Sequence, residues 1–527
     1  MADVKLYDTT LRDGTQMEGL SLSVEDKLRV AERLDRLGIH FIEGGWPGAN
    51  PKDDEFFRRA KSLRLSEARI VAFGSTRRAR GSAESDPQIK ALFDSGAPIV
   101  TLVGKASEMQ VRRVLETSLE ENLSMIRDSI EYLRKQGRRV MFDAEHFFDG
   151  FAENSDYALA CVRAAAEAGA EFVVLCDTNG GSMPVDVFNA VHRVVSEVKA
   201  GVGIHCHNDA EMAVANSIAA VQAGATQVQG TINGYGERCG NTNLLTVIAN
   251  LKLKLRIDCV TDEQLSRLTE VHRFVTEIAN LPPNRWQPYV GESAFAHKGG
   301  IHAAAMAKAE DSYQHVPPEK VGNTKRIVVS ELSGRGNIAI KLQEAGLSAA
   351  LPKEAVGLLL AQIKEKEAHG YQYEGAEASF RLLVQRALPN YRPPFELVDF
   401  MVVMEKRRRP GRDANDEQTL SEATVKVRIG DQVLHTVGEG NGPVNALDSA
   451  LRKGLCQAYP ELERVQLTDF KVRVVGQGPG GTGAVVRVLI ESTNGDRRWN
   501  TVGASANIIE ASWQALADSM EYPLIGK

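Results

Sequence analysis

Residues 4–46, VKLYDTTLRDGTQMEGLSLSVEDKLRVAERLDRLGIHFIEGGW, contain the strand–helix–strand pattern that decides the fold. A β-rich run at each end flanks a central segment whose apolar residues recur every three positions, which predicts a helix over 24–37. Ser23 is suited to cap the start of this helix, and Gly38 is suited to end it. The stretch therefore predicts one βα unit and the strand that follows it.

The same alternation continues to about residue 258. Eight β-rich runs, separated by helix-length amphipathic stretches, lie at 4–10, 41–46, 69–75, 99–104, 140–145, 172–178, 203–208 and 227–233. Eight repeats in about 250 residues are typical of an α/β fold, the (β/α)8 TIM barrel, whose active site lies where the strand carboxyl ends meet the following loops. An open doubly wound sheet is the alternative, but no GxGxxG follows the first run, which disfavours a dinucleotide-binding fold.

Polar side chains collect at the predicted carboxyl ends of these strands. They are Arg12, Asp13, Glu43, Ser75, Glu145, Asp177, Thr178, His205, His207 and Asn233. The strands of such a barrel all end at the same face, so these side chains are expected to surround one site.

Two histidines, His205 and His207, are separated by one residue in the seventh run. Side chains alternate faces along a strand, so both imidazoles would point the same way and could chelate one metal. Two unrelated polar residues in a strand are the alternative interpretation of so short a pattern. Asp13, at the end of the first strand, could add an oxygen ligand, and two histidines with one carboxylate suit a metal that acts as a Lewis acid.

The composition is that of an ordinary globular chain. It has 527 residues, of which 43% are hydrophobic and 25% charged, and 63 Lys plus Arg against 69 Asp plus Glu give a net charge of −6. This balance gives no support for nucleic acid or an anionic membrane as the main partner. The six cysteines show no CxxC spacing, and neither a long apolar segment nor a leader is evident. A cytoplasmic protein without a disulfide framework or a membrane span is therefore expected.

The length predicts about three or four domains, at about 100 to 200 residues each. The barrel is expected to occupy 1–275. A less regular connecting region follows at 276–378, with proline pairs and a helical pattern at 342–367. The chain from 379–527 is expected to form an α+β domain. Its strands are predicted at 395–404, 424–429, 466–475 and 484–491, and its helices at 444–458 and 506–520.

Two separated motifs carry a family resemblance. LRDGTQ at 11–16, followed by Lys27, matches the first signature of the α-isopropylmalate and homocitrate synthase family, and GIHCHND at 203–209 resembles the second. FAHKGGIH at 295–302 is similar to the family's connector, so the resemblance extends over essentially the whole chain. Glu211 departs from the pattern, because the second signature normally has Gly at this place. The chain most resembles the citramalate synthase branch, through QMEG at 16–19, IEGGWPG at 42–48 and TINGYGERCGN at 231–241.

The resemblance implies a TIM barrel followed by a helical connecting domain and a C-terminal α+β regulatory domain, and it implies a Claisen-type condensation. Acetyl-CoA would lose a methyl proton, its enolate would attack the keto carbon of pyruvate, and water would release CoA to leave citramalate. The product would feed a pyruvate route to isoleucine through 2-oxobutanoate. A divalent metal, Mg, Mn or Zn, would be held by Asp13, His205, His207 and Asn241.

The resemblance also implies roles for other side chains. The catalytic candidates are Arg12, Glu145, His302 and Tyr313, and the substrate-binding candidates are Arg12, Gln16, Glu43 and Thr178. Arg12 would stabilise the alkoxide that develops on the keto oxygen, and Thr178 would hydrogen-bond the substrate carboxylate. Either Glu145 or His302 would remove the thioester α-proton. His302 and Tyr313 would reach the barrel of a partner subunit, which implies a homodimer.

Two glycine-rich segments resemble the amino-acid-binding domain of the family, GEGNGPV at 438–444 and GQGPGGTGA at 476–484. They imply feedback regulation, with isoleucine as the expected effector, and loops that present backbone N–H groups to its carboxylate. The basic run RRRPGR at 407–412 is followed at once by acidic residues, which favours a solvated loop over a phosphate site.

Several alternatives stay open at the level of the sequence. The nearest is the same condensation on a larger 2-keto acid, as in 2-isopropylmalate or homocitrate synthesis. A metal-dependent lyase or a carboxyltransferase domain would use a related barrel with the same Arg-Asp and HxH elements. A catalytically silent amino-acid-binding regulator is the non-enzymatic alternative. For the CoA phosphates, no Walker-type element appears, and Lys105, Arg77 and Arg78 near the barrel loops are candidates.

Overall fold

The computed structural model of the protein describes residues 4–306, 308–328, 338, 341–342, 353–406, 419–475 and 483–525. The chain divides into two units. One consists of Met1–Phe295 and His315–Lys325, and the other of Ala296–Gln314 and Arg326–Lys527.

Eight parallel strands of the first unit close into a barrel in sequence order, which confirms the predicted fold class. The strands are β1 (Lys5–Asp8), β2 (Phe41–Gly45), β3 (Arg69–Ser75), β4 (Ile99–Lys105), β5 (Arg139–Glu145), β6 (Phe172–Asp177), β7 (Gly201–Cys206) and β8 (Gln227–Gly230). The barrel closes because β1 pairs on one side with β2, where Tyr7 faces Phe41, and on the other side with β8, where Asp8 faces Gly230.

Helices cover the outside of this barrel. They are α1 (Val24–Leu37), α2 (Pro51–Ala60), α3 (Pro87–Asp94), α4 (Glu108–Arg113), α5 (Leu119–Lys135), α6 (Phe147–Glu153), α7 (Ser155–Glu167), α8 (Pro184–Glu197), α9 (Ala213–Gln222), α10 (Leu244–Leu253), α11 (Asp262–Leu265) and α12 (Leu268–Ile278). Helix α1 has the predicted bounds because Ser23 and Asp26 form a capping box at its start. At its end, Gly38 adopts a left-handed φ of 89°, which glycine tolerates without strain.

Three barrel strands end two or more residues earlier than predicted. Strand β1 ends at Asp8 because the carbonyl of Thr9 accepts the N–H groups of Arg12 and Gly14, which turns the chain. Strand β7 ends at Cys206, so the prediction that His207 lies within the strand is wrong by one residue. Strand β8 ends at Gly230, and a short 3-10 helix, Ile232–Gly234, replaces its predicted last residues.

The barrel has two apolar layers. Leu6, Leu34, Ile42 and many other buried residues fill the space between the strands and the helices. A separate cluster made only of strand residues lies inside the closed sheet. Its members are Tyr7, Phe41, Val71, Ile99, Met141, Phe172 and Val174. Because side chains alternate along a strand, each of the strands β1 to β6 contributes to both layers. The packed interior leaves the site to form at the carboxyl ends of the strands.

The second unit begins with short elements and continues into an α+β region. Its elements are β9 (Ala296–His297), α13 (Gly300–Met306), β10 (Arg326–Ile327), α14 (Lys353–Ala368), α15 (Glu377–Arg386), β11 (Glu396–Lys406), β12 (Thr419–Ile429), β13 (Gln432–Gly440), α16 (Pro443–Ala458), β14 (Gln466–Val474), β15 (Val486–Thr493), β16 (Arg498–Ser505) and α17 (Ile508–Glu521). Strands β11–β12–β13 and β14–β15–β16 form two antiparallel three-stranded sheets. Helices α16 and α17 share an apolar core with these sheets, which includes Val425, Leu451, Val488 and Leu516.

The expectation of a glycine-rich ligand loop at 438–444 is wrong in its first half, because Gly438 and Gly440 lie in strand β13. A Cβ at Gly438 would lie 2.3 Å from the backbone N of Ala450, and a Cβ at Gly440 would lie 2.5 Å from that of Ala446. Both glycines therefore allow helix α16 to pack directly on the strand. Strands β13 and β16 are absent from the sequence-based expectations.

Two segments singled out in the sequence fall outside the described residues, namely the basic run at 407–412 and positions 476–482 of the second glycine-rich segment. Among the residues that the structure does describe, no helix combines the length and the apolar character needed to cross a bilayer.

Candidate active site at the barrel mouth

The turn after β1 places Arg12 and Asp13 at the carboxyl end of the barrel. Asp8 anchors the turn by accepting hydrogen bonds from the backbone N of Thr10 at 2.9 Å and from its hydroxyl at 2.8 Å. The same Thr10 hydroxyl oxygen accepts from the N–H of Ile232 at 2.8 Å, which ties the turn to the end of β8. A fixed turn between two adjacent strands gives the two following side chains a defined direction.

Arg12 is held on three sides. Its Nε donates to Glu43 Oε1 at 2.6 Å, and its Nη1 lies 3.3 Å from Asp13 Oδ1. Its guanidinium stacks over the Phe73 ring, 3.8 Å from the ring centre. Glu43 is itself fixed because its Oε2 accepts from the Tyr7 hydroxyl at 2.6 Å. The fully buried Glu43 therefore orients Arg12, and its predicted part in substrate binding stays a prediction.

Asp13, His205 and His207 form a buried cluster, in which one possible ligand atom from each residue lies within 4.8 Å of the others. Asp13 Oδ2 is 3.2 Å from His205 Nε2, and the two imidazole rings are 5.4 Å apart. His207 reaches the cluster from beyond β7, because its N–H bonds the carbonyl of Asp177 and its backbone bridges to Asn241. The structure thus brings together residues that are almost 200 positions apart in sequence.

The protonation states of two residues in this cluster, Asp13 and His207, suit metal ligation. At His205, burial alone would lower the pKa, but Asp13 outweighs it and raises that pKa. Burial alone would raise the pKa of the Asp13 carboxyl, but Arg12 and His205 outweigh it and hold that pKa well below its usual range. Burial, reinforced by His205, lowers the pKa of His207 to about 4. An ionised carboxylate and a neutral imidazole are the forms that bind metals.

Two buried polar atoms beside this cluster have no hydrogen-bond partner among the described residues, namely Nδ1 of His207 and Oδ1 of Asn241. A buried polar atom without a partner is destabilising, and here the two belong to residues whose backbones pair with each other. A cation held by Asp13, His205 and one imidazole nitrogen of His207 could take Asn241 Oδ1 as a further ligand. The residues therefore form a possible divalent-metal site, with nitrogen and oxygen donors.

A cavity of about 660 Å³ opens beside the cluster. Most of the residues predicted for the site line it, namely Arg12, Asp13, Gln16, Glu145, Thr178, His205 and His207. Others line it that sequence reasoning did not select, including Trp46, Phe73, Val103, Asp143, Cys176 and Arg238. The cavity therefore joins the possible metal site to polar side chains from several strands, as expected for the mouth of a barrel.

Glu145 ends strand β5 and forms an ion pair with Lys105 at the end of β4. Thr178 follows β6, and its hydroxyl oxygen accepts from the N–H of His146 at 2.8 Å. That hydrogen bond leaves the hydroxyl proton of Thr178 available to donate into the cavity. Arg238 closes the rim, because it donates to the carbonyl of Thr178 at 2.8 Å and pairs with Asp209 at 2.8 Å.

The cations proposed from sequence for the CoA phosphates differ in their availability. Arg77 is buried and pairs with Glu121 at 2.8 Å and with Asp128 at 2.6 Å. Lys105 is engaged by Glu145. Arg78 also lines the cavity, and among these three cations it is the one for which the described residues supply no carboxylate partner.

Glu211 occupies the position where a glycine is expected. Its φ of 60° is left-handed, a conformation that favours glycine. Its backbone N bonds the carbonyl of Asn208, so the loop after the histidines keeps its turn in spite of the larger residue.

His302 and Tyr313 belong to the second unit. Their rings stack 4.1 Å apart, at an angle of 23° between their planes, and both side chains are exposed. Their catalytic roles stay predictions.

Asp143 and Gln229, two further polar residues deeper in the barrel, were not predicted from the sequence. Burial, assisted by the negative charge of Glu43, raises the pKa of Asp143 to about 7. Gln229 on β8 accepts from His205 and is fully buried. The available signal was a polar residue inside an otherwise apolar strand, because such a residue must find a partner within the barrel.

Comparisons with known proteins cover nearly the whole chain. Residues 3–275 match the HMGL-like family, residues 289–370 match the homocitrate synthase post-HMGL domain-like family, and residues 374–524 match the LeuA allosteric (dimerisation) domain. The first of these families spans more than half of the chain.

The chain is 52% identical to an (R)-citramalate synthase of Geobacter sulfurreducens over 99% of this chain and 98% of that protein. It is 51% identical to an (R)-citramalate synthase of Aquifex aeolicus, again over 99% of this chain and 98% of the relative. A probable 2-isopropylmalate synthase of Methanopyrus kandleri is more distant, at 33% identity over 97% of this chain and 96% of the relative.

Proposed function

Because the chain belongs to the (R)-citramalate synthase family, we propose that it condenses acetyl-CoA with pyruvate and water to give citramalate and CoA. The observation that carries the proposal is the buried cluster of Asp13, His205 and His207 beside Arg12, at the mouth of a barrel in a chain half-identical to these enzymes. Citramalate formed from pyruvate leads to isoleucine through 2-oxobutanoate. Relatives named as 2-isopropylmalate synthases are more distant, at 33% and 30% identity.

We assign Asp13, His205, His207 and Asn241 as the residues that hold a divalent cation, Mg²⁺, Mn²⁺ or Zn²⁺. When bound, such a cation polarises the keto and carboxylate oxygens of the substrate as a Lewis acid. Support comes from the ionised Asp13, the neutral His207 and the two buried atoms without partners. Thr178 donates its hydroxyl proton to the carboxylate of pyruvate, and Gln16 lines the same cavity near the acceptor.

The proposed reaction forms one carbon–carbon bond and hydrolyses one thioester. A base removes a methyl proton of acetyl-CoA, and the methyl carbon bonds to the keto carbon of pyruvate. The keto oxygen becomes an alkoxide, which Arg12 stabilises before the oxygen takes up a proton. Water then cleaves the thioester to a carboxylate and releases the CoA thiol.

We propose Glu145 as the base, because it ends a strand at the cavity and Lys105 fixes its position. His302, stacked on Tyr313 in the second unit, is the alternative. By resemblance to the family, His302 and Tyr313 would reach the barrel of a second copy of the chain.

A panel of 2-keto acids tests the substrate assignment. Release of free thiol from acetyl-CoA is measured with pyruvate, 2-oxobutanoate, 2-ketoisovalerate and 2-ketoglutarate, and acetyl-CoA alone gives the background. We expect kcat/KM for pyruvate to exceed the others by about tenfold or more, the discrimination that one methylene in a fitted pocket supports. A preference for 2-ketoisovalerate would overturn the assignment to pyruvate, and no release with any acid would favour a silent regulator.

We propose that a second copy covers the outer face of the sheet β11–β12–β13. Met401, Thr424 and Val437 lie side by side across its three strands, and Met401 is 57% exposed and Val437 44%. Val403 and Val433 extend this apolar face. Exposed apolar patches of this kind mark interaction sites, and the match of residues 374–524 to a dimerisation domain supports a homodimer.

Charges placed on this face are expected to separate the copies. The double variant Met401→Asp and Val437→Asp should run as one chain of 57.5 kDa in light scattering after gel filtration, whereas the parent runs as two. Val185→Asp is the matched control, because Val185 is 70% exposed on barrel helix α8. Loss of the dimer in both variants, or in neither, would argue against this face.

We further propose isoleucine as a feedback inhibitor that binds the C-terminal domain. The match to an allosteric domain supports regulation, and isoleucine is the end product of the proposed route. The thiol-release assay with isoleucine added, compared with valine, tests the identity of the effector.

A further inference from the structure

A chain of buried hydrogen bonds runs from the possible metal site into the barrel interior. His205 Nδ1 is 3.0 Å from Gln229 Oε1, and Gln229 Nε2 is 3.1 Å from Asp143 Oδ1. His205 and Gln229 are register partners on adjacent strands β7 and β8, whereas Asp143 lies on β5. All three side chains are buried, so water does not compete for these contacts.

The direction of each hydrogen bond follows from the chemistry of the groups. Gln229 Nε2 donates to Asp143 Oδ1, which accepts as a carboxylate oxygen. Gln227 Oε1, at 3.4 Å from Gln229 Nε2, is a second acceptor on the same side. The amide oxygen of Gln229 must then face His205, which places the ring N–H on Nδ1.

This tautomer leaves Nε2 of His205 as the atom that faces the site, 3.2 Å from Asp13 Oδ2. His207 differs, because its buried Nδ1 has no such partner among the described residues and its position comes from the backbone bridge to Asn241. The two histidines are therefore positioned by different means. A side-chain substitution could disturb one and spare the other.

We propose that Gln229, oriented by Asp143, is a positioning residue that fixes the tautomer and ring direction of His205 for metal binding. The inference rests on the proposed role of His205 as a ligand. Groups that hold the second nitrogen of a ligating histidine typically change metal affinity by about 10- to 100-fold. Gln229 acts through His205 and needs no contact with the substrate.

The test measures Mn²⁺ affinity in the absence of substrate, by titration with electron paramagnetic resonance of the free ion. Gln229→Met keeps the length of the side chain but removes its hydrogen bonds to His205 and Asp143, and we expect its Kd for Mn²⁺ to rise about 10- to 100-fold. Gln227→Met is the matched control. It removes a buried amide from the same strand, one that contacts Met141 Sδ and Gln229 Nε2, each at 3.4 Å, but does not contact His205. Asp143 still accepts from Gln229 in this control.

Thermal melting in the presence of EDTA separates positioning from stability. A purely structural role predicts that both variants lose stability and keep the parent Mn²⁺ affinity, which would overturn the proposal. The expected result is a weakened affinity in Gln229→Met alone.

A reciprocal exchange tests the direction of the hydrogen bonds. In the double variant Gln229→Glu and Asp143→Asn, the introduced carboxylate can accept from His205 Nδ1–H and from the introduced amide. The double variant still presents an acceptor to His205. We therefore expect its Kd for Mn²⁺ to stay within about threefold of the parent value, a smaller change than the loss of such a partner causes. A folded double variant as weak as Gln229→Met would overturn the proposal.

His205→Ala separates this inference from the proposed function. If that variant binds Mn²⁺ like the parent, the metal site itself is wrong. If it loses Mn²⁺ while Gln229→Met retains it, the inference about Gln229 is wrong and the proposed function stands.

Discussion

Replacing His205 with alanine is expected to abolish Mn²⁺ binding and condensation together. His205 is the central member of the cluster, since its Nε2 lies 3.2 Å from Asp13 and its Nδ1 lies 3.0 Å from Gln229. The variant leaves Asp13, His207 and the amide oxygen of Asn241, and it removes one of the two imidazole donors on which a tight site depends. Because a Lewis acid contributes several kcal/mol and about 1.4 kcal/mol is a tenfold change in rate, turnover should fall by about a thousandfold or more.

Mn²⁺ titration and thiol release from acetyl-CoA with pyruvate measure the two effects on the same preparation. His192→Ala is the matched control, because His192 is exposed on helix α8, where it stacks on Phe188 at 6.1 Å. The control should keep both properties. Full turnover of His205→Ala in metal-depleted buffer would contradict the assigned ligand role.

Replacing Glu145 with glutamine should leave the fold and Mn²⁺ affinity intact while condensation slows. An amide of the same size fills the place of the carboxylate but does not accept a proton from the thioester methyl group. General acid–base groups contribute about 10²- to 10⁴-fold, so kcat should fall within that range. Thiol release under saturating pyruvate and acetyl-CoA gives kcat, and the Mn²⁺ titration verifies the metal site.

Glu171, which pairs with the first residue of strand β5, supplies the control for this variant. Glu171 forms an ion pair with Arg139 at 2.6 Å, and Arg139 begins the strand that Glu145 ends. Glu171→Gln therefore breaks a carboxylate–cation pair at the other end of the barrel, away from the cavity. Equal and small effects of both substitutions would mean that Glu145 is a structural partner of Lys105, and His302 would then become the leading candidate for the base.

The barrel could be predicted from sequence because its signals are local. Helix α1 follows from apolar spacing, from Ser23 and from Gly38, and each of these acts within a few residues. Asp13, His205 and His207 could be selected because strand ends of a barrel share one face. Predicting the barrel and these three residues required no knowledge of how the side chains pack.

The contacts that set the chemistry were harder to predict, since they join distant strands. Lys105 and Glu145 meet because β4 and β5 are neighbours in register, and Asp143 meets Gln229 across the barrel interior. Glycines were misleading for a related reason. A glycine in a sequence favours a loop, but Gly438 is explained by the approach of a helix that only the tertiary structure shows.

The arrangement around Arg12 links reactivity to folding. Glu43, Phe73 and Asp13 orient the guanidinium before any substrate arrives, so its charge needs no reorganisation when the alkoxide forms. The desolvation of this charge occurs during folding, where the two carboxylates compensate for it. A weakened contact here would therefore appear both as a slower reaction and as a less stable protein, and the two losses should rise together across a series of variants.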